Sequence, residues 1–243
     1  MFVIKDEQGH SQVWAPHSGN TLRAQGRISK ILNTLPPHSH VLELGCGHGD
    51  LTLALLDGGH HVTAVDRSQK MLEATAKKCQ NHQRLSLHQS DLALYLEKEA
   101  NHYDAIVGMG ILHHVTQDLP SILPRMAHCL KQDGRGLFWE PNRANPLVKF
   151  IFGTSLGRRW FSLEEKEEAF TKEEIESLLR PLFPQVRVVP QDWAYPFTPP
   201  GLLKRLRTLE MMAPDFLRRR ISQSLWIEFS RSASLEAKTE SPK

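Results

Sequence analysis

Between His40 and Glu140 short apolar runs, several ending in a glycine or an acidic residue, alternate with stretches of helical apolar spacing. The runs are His40–Leu44, His61–Val65, Arg84–His88, Tyr103–Val107 and Gly136–Glu140. Helical stretches follow at Leu51–Leu56, Ser68 to about Cys79, and Leu119–Leu130, the last stopped by Gly134. Strands alternating with helices at roughly 20–30-residue spacing require crossover connections, and so a parallel sheet covered on both faces. This predicts a doubly wound, mostly parallel α/β domain. Ligands of such sheets bind outside the carboxyl ends of the strands, where the strand order reverses. The unusual residues of this chain fall at those ends.

The flanks fill out the fold. Leu22, Ile28, Ile31, Leu32 and Leu35 have helical spacing before Pro36-Pro37, so residues 1–38 read as an N-terminal helical extension. The main domain is expected over 39–232, with insertions at 141–170 and 190–223. Thr171 and Glu174 form a capping-box pattern that opens a helix. Val186–Val189 and Leu225–Phe229 supply the sixth and seventh strands. The polar tail 233–243 reads as disordered.

Composition excludes several classes. With 30 Lys and Arg against 27 Asp and Glu, the net charge of +3 is too small to argue for nucleic acid. Three cysteines without a CxxC pair give neither a zinc knuckle nor a disulfide framework, and no metal site is read. Reduced thiols, the absence of a signal-peptide-like start and the lack of about 18 uninterrupted apolar residues predict a cytoplasmic protein.

The strongest chemical signal is Val41-Leu-Glu-Leu-Gly-Cys-Gly-His-Gly-Asp50. Gly45, Gly47 and Gly49 sit where a strand turns sharply into a helix, and glycine there permits positive φ and close ligand approach. The spacing is G-x-G-x-G, whereas a dinucleotide fingerprint would be G-x-G-x-x-G. Glu43 beside the loop favours a cationic ligand, an ammonium or a sulfonium, over a pyrophosphate. Asp66, at the end of the second strand, suits two ribose hydroxyls; its alternative is a helix N-cap, for which Ser68 is better placed. Asp91, within Ser90-Asp91-Leu92, reads as a partner for an adenine amino group or as a cap. A nicotinamide-dependent oxidoreductase fits these residues less well.

Val41–Thr52, Val62–Ser68, Ser90–Leu92, Tyr103–Val115 and Leu130–Glu140 together resemble the ordered motifs of class I S-adenosylmethionine (AdoMet)-dependent methyltransferases, in the small-molecule branch related to ubiquinone biosynthesis. The resemblance covers roughly residues 38–140. It implies a seven-stranded Rossmann-like fold and AdoMet as cosubstrate. Gly45, Cys46, Gly47 and Gly49 would then lie beside the methionine part, Asp66 and Arg67 at the ribose, and Ser90, Asp91 and Leu92 near the adenine. Met71 would line the adenine pocket or serve the core, and Gly108 and Met109 would end the fourth strand at the cofactor.

That strand runs into Gly108-Met-Gly-Ile-Leu-His-His-Val115, without the Asn/Asp-Pro-Pro-Tyr/Phe of relatives that methylate base or glutamine amino groups. His113 or His114 is a candidate general base, or else one packs and the other caps a loop. Glu140 or Asn142 would hold the acceptor, or Glu140 would serve the neighbouring loop. The expected partner is a small or amphiphilic methyl acceptor. Residues 202–220 either pack as a helix or touch a membrane surface, since Lys204–Arg220 carries six basic and two acidic residues. The alternatives are an RNA- or protein-directed enzyme and a non-catalytic AdoMet-binding protein.

Overall fold

The computed structural model describes residues 18–194 and 198–232. Residues 1–17, Tyr195, Pro196 and Phe197 of the second insertion, and the tail from Ala233 lie outside the described residues. The chain opens with α1 (Ser18–Thr34), then β1 (His40–Leu44), α2 (Asp50–Asp57), β2 (His61–Asp66), α3 (Gln69–Lys78), β3 (Leu85–Gln89), α4 (Leu92–Leu96) and β4 (Tyr103–Met109). A 3-10 turn (Leu112–Asp118) leads into α5 (Leu119–Cys129) and β5 (Leu130–Pro141). The first insertion supplies α6 (Pro146–Gly153) and α7 (Ser155–Phe161), followed by α8 (Lys172–Leu179) and β6 (Gln185–Gln191). The second supplies α9 (Pro200–Met212) and α10 (Asp215–Ile221) before β7 (Ser224–Ser230).

The strands form one seven-stranded sheet in the order β3-β2-β1-β4-β5-β7-β6. All neighbours are parallel except β7, which runs antiparallel to both β5 and β6. The order reverses between β1 and β4, which makes their carboxyl ends the ligand edge. Side chains alternate across the sheet, and two cores result. Leu42, Leu44, Ile106, Phe138, Ile227 and Phe229 face α4, α5 and α8. Val41, Ala105, Val107, Leu137, Trp139 and Trp226 face α1, α2 and α3. The parallel strands are buried on both faces, which is why they read as continuous apolar runs.

Two expectations change. Helix α5 ends at Cys129, within a residue of the expected Leu130, but Leu130 already pairs with Tyr103 and Gly134 lies inside β5, so Gly134 does not stop the helix. The register then shifts and resumes at Ala105 and Arg135. Gly134 serves this irregularity: a Cβ there would press on the Leu130 side chain and the Lys131 carbonyl. The stretch 202–220 is likewise two helices, because Pro214 cannot continue α9. Of its apolar residues Leu203 is buried, whereas Leu202, Leu209, Met211 and Met212 are exposed. Among the described residues no helix is long and apolar enough to cross a membrane.

Candidate active site

The glycine loop connects β1 to α2. Gly45, Gly47 and Gly49 have φ of 68°, 51° and 75°, in the left-handed region that disfavours other residues. Each has a different constraint. A Cβ on Gly45 would strike Ile111 and one on Gly49 would strike Thr75, whereas nothing lies within 4 Å of the position above Gly47. The first and third glycines admit close packing, and the middle one opens onto free space where a ligand can approach the backbone. Thr75 fixes the loop by donating from Oγ1 to the Gly47 carbonyl at 2.9 Å.

Asp66 closes the other side of this space. Its Oδ2 accepts from Gly47 N at 3.0 Å and its Oδ1 from Ser68 N at 2.9 Å, so the carboxylate is held facing the loop while each oxygen keeps acceptor capacity. Ser68 caps α3 by accepting from Met71 N, as its position in the sequence suggests. Cys46 is buried beneath the loop, and Met71 is half-buried on the first turn of α3. Asp91 caps α4 through bonds from Ala93 N and Leu94 N, both to Oδ1. Oδ2 is not used in these bonds. Ser90 N donates to the Asp66 carbonyl, and buried Leu92 anchors this corner. Gly108 and Met109 end β4 beside the same opening, and Gly110 N donates to the Trp139 carbonyl at 2.7 Å.

Glu43 departs from its expected place. It is 2% exposed and lies beneath the loop, accepting from Thr52 Oγ1 at 2.6 Å. Burial pushes its carboxyl up to about 8, opposed by the Thr52 bond and reinforced by Asp66 and Asp50. Its burial and its bond to Thr52 make Glu43 a support of the loop from below.

Glu140, at the end of β5, accepts from Ile111 N (2.9 Å) and Leu112 N (2.8 Å) with one oxygen and from His113 N (3.3 Å) with the other. His113 Nδ1 lies 2.8 Å from the second oxygen. This buried carboxylate anchors the loop after β4, the one that precedes its own strand, and not the loop that follows Glu140. Asn142 has a similar role. Its Nδ2 donates to the Arg219 and Ser222 carbonyls at 2.9 and 2.8 Å, and Oδ1 accepts from Ala144 N. Asn145 Nδ2 donates to the Ile221 carbonyl. The two asparagines pin the second insertion to the first.

His114 is the more interesting imidazole. Its Nδ1 lies 2.9 Å from Glu167 Oε1, which leaves Nε2 uncommitted in that pair, and its ring centroid is 4.1 Å from that of His113. Burial pushes the His114 pKa down, but the bond to Glu167 and its charge outweigh this, and the net shift is upward. Burial would raise Glu167, yet His114 holds it below the usual carboxylate range. Ligating atoms of His113, His114 and Glu167 lie within 4.8 Å of one another, an arrangement of donors that the sequence reading, with no metal site, did not anticipate.

Glu167 itself was missed, since Glu164-Glu-Lys-Glu-Glu168 reads locally as a solvated charge run. Arg158 shapes that segment, donating to the carbonyls of Glu164, Glu165 and Glu167 at 2.6, 2.8 and 3.1 Å. Glu168 N also donates to the His113 carbonyl. At the outer rim Arg67 pairs with Glu164 at 2.9 Å, so the residue after Asp66 reaches the first insertion.

The chain is similar to known proteins over part of its length. Residues 41–134 match a family described as a methyltransferase domain. The ubiquinone biosynthesis O-methyltransferase of Coxiella burnetii (strain RSA 493) is 33% identical over 104 residues, covering 43% of this chain and 44% of that protein. A demethylmenaquinone methyltransferase of Leptospira interrogans (strain 56601) is 28% identical over 131 residues, 51% of this chain and 52% of that one. The chain thus spans about half the length of the curated relatives it matches. A SAM-dependent methyltransferase structure from Archaeoglobus fulgidus superposes with a TM-score of 0.64 at 16% identity, covering 88% and 94% of the two chains. Phosphoethanolamine N-methyltransferase 2 of Haemonchus contortus, solved with S-adenosyl-L-methionine, gives 0.61 at 18%, covering 86% and 51%. The matched segment, residues 41–134, is thus similar to a methyltransferase domain, and the strand order and glycine loop around it belong to a fold shared with these solved structures.

Proposed function

We propose that this chain transfers a methyl group from AdoMet to a small, lipid-like acceptor, with quinone-type compounds as the first class to test. The observation that carries the reading is the open space above Gly47, walled by the Asp66 carboxylate at the switch point of the sheet. The relatives' names supply the acceptor class. AdoMet, when bound, supplies an electrophilic methyl group on a sulfonium that is already a good leaving group. The protein's task is then chiefly to align nucleophile and methyl group and to exclude water. Asp66 holds the ribose hydroxyls, and Asp91 Oδ2 serves the adenine side.

His114 is the proton acceptor for an acceptor hydroxyl. Glu167 orients its imidazole through Nδ1, the arrangement in which a base is set by a third group. Exposed Leu209, Met211, Met212 and Phe216, beside Arg218, Arg219 and Arg220, support an amphiphilic acceptor delivered at a lipid surface. The three free cysteines, Cys46, Cys79 and Cys129, suit a reducing compartment such as the cytoplasm.

The test is calorimetric titration with S-adenosylhomocysteine followed by methyl transfer from labelled AdoMet to hydroxylated quinone precursors. Saturable binding and label in the organic phase are expected. No binding would overturn the reading. Label on RNA or protein instead would replace the acceptor class, and binding without turnover on any acceptor would leave a non-catalytic AdoMet-binding protein.

A further inference from the structure

A cavity of about 230 Å³ lies between α1, α9 and the carboxyl ends of β5 and β6, and none of its lining residues belongs to the glycine loop. Five cationic side chains line it, Arg23, Arg27, Lys30, Arg207 and Arg218, against the two acids Asp192 and Glu210. Asp192 is already committed. It accepts from Arg27 Nε at 2.8 Å and stands 3.7 Å from Arg23. Burial would raise its carboxyl, but Arg27 and Arg23 hold it below the usual range. Burial and the nearby Asp192 push the Glu210 carboxyl up to about 7, so it carries only part of a charge near neutrality. Lys30 donates to the neutral Gln191 amide oxygen at 2.7 Å instead of to a carboxylate, and Arg207 has no anionic partner among the described residues. Arg218 pairs with Asp215 at 3.6 Å, which leaves half-buried Lys30 and exposed Arg207 as the lining cations that no carboxylate among the described residues hydrogen-bonds.

Its walls are shaped for a ligand. A Cβ on Gly26, in the interior of α1, would collide with the Arg207 guanidinium, so a residue unfavourable to a helix stands where this cation crosses. Trp139 is 5% exposed, and its indole N–H has no hydrogen-bond partner among the described residues. Leu203 and Leu206 supply apolar surface. Trp139 also pairs with Met109 in the β4–β5 register, which places this wall one strand spacing, about 4.8 Å, from the end of β4.

We propose that the cavity binds an oxyanion, phosphate or carboxylate, borne by an amphiphilic methyl acceptor, with Lys30 and Arg207 at the oxyanion and Trp139 and Leu206 along the apolar part. The word acceptor rests on the methyltransferase reading; the oxyanion site does not.

The test is titration of the full chain with decyl phosphate, decanoate, decanol and inorganic phosphate, read by calorimetry and tryptophan fluorescence, with S-adenosylhomocysteine titrated in parallel. Decyl phosphate or decanoate is expected to bind at least about tenfold more tightly than decanol and than inorganic phosphate. Lys30→Met and Arg207→Gln should each weaken the anionic amphiphile about tenfold and leave S-adenosylhomocysteine affinity unchanged. Gly26→Ala, which favours the helix but displaces Arg207, should do the same without lowering Tm. Equal binding of decanol and the anions overturns the proposal, as does wild-type binding in both Arg207→Gln and Gly26→Ala. Inorganic phosphate as tight as decyl phosphate overturns the amphiphile. Failure of S-adenosylhomocysteine to bind while decyl phosphate binds would sink the methyltransferase reading alone.

Discussion

The two halves of the ligand edge are built on different principles. Around β1, β2 and β3, side chains and backbone of neighbouring segments hold each other: Gly47 to Asp66, Asp66 to Ser68, Asp91 to its own helix. Around β4, β5 and the insertions, contacts join residues far apart in the chain. Glu167 reaches His114 across 53 residues and Asp192 reaches Arg27 across 165. The first half can hold a chemically constant ligand with a few local rules. The second half can be rebuilt without disturbing the sheet, which suits the part that selects an acceptor.

The contrast breaks most visibly at His114. Replacement by Gln should lower kcat by about 10²–10³-fold if it takes the acceptor proton, with S-adenosylhomocysteine affinity unchanged. Because His114 titrates above its ordinary 6.5 in the folded chain, wild-type kcat should rise with pH through that raised value as the neutral base forms. A wild-type pH profile retained by His114→Gln would remove the base role. The pair also contributes to stability. A raised His114 pKa stabilises below 6.5 and a depressed Glu167 pKa stabilises above 4.5, so the ion pair contributes most between those values. Its contribution fades as pH rises through the His114 pKa or falls through that of Glu167. In thermal melts Glu167→Gln should narrow its deficit toward both extremes.

Asp66→Ala tests the local half. If Asp66 takes the ribose hydroxyls as proposed, its removal should weaken AdoMet binding at least about 100-fold, with little change in affinity for an anionic amphiphile. A loss confined to the amphiphile would mean that the two halves have been assigned the wrong way round.

What could be read from the sequence follows the same division. The parallel sheet, the glycine turn, Asp66 and the Thr171–Glu174 capping box all depend on residues close in the chain, where turn and capping chemistry decide the outcome. Glu43 was found but misplaced, because a strand residue's depth depends on what packs above it. Glu167 carried no local signal, since its partner His114 lies 53 residues away, and the Asn145-Pro146 capping pattern gave no hint of the Asn145 bond to Ile221 across the insertions. Asn142 was found with the wrong emphasis. Its amide serves two carbonyls of the second insertion, and Asn142→Ala should cost about 2–4 kcal/mol of stability by leaving them unpaired. Chemical denaturation measures this, and acceptor KM should rise while AdoMet affinity stays near wild type.

The smallest effect is expected where the halves meet in solvent. Arg67 and Glu164 join the ribose side to the first insertion, with side chains 65% and 55% exposed. An exposed pair of this kind contributes a few tenths of a kcal/mol, screened further by salt. Arg67→Ala should therefore change Tm within about 1 °C and AdoMet affinity by about twofold or less. A large rise in acceptor KM with unchanged AdoMet affinity would show that this contact holds the insertion over the site, tying the halves together more strongly than an exposed ion pair can. Repeating the measurement at high salt separates the outcomes. A screened surface pair makes wild type and variant converge, whereas a packing role for the Arg67 stem would keep them apart.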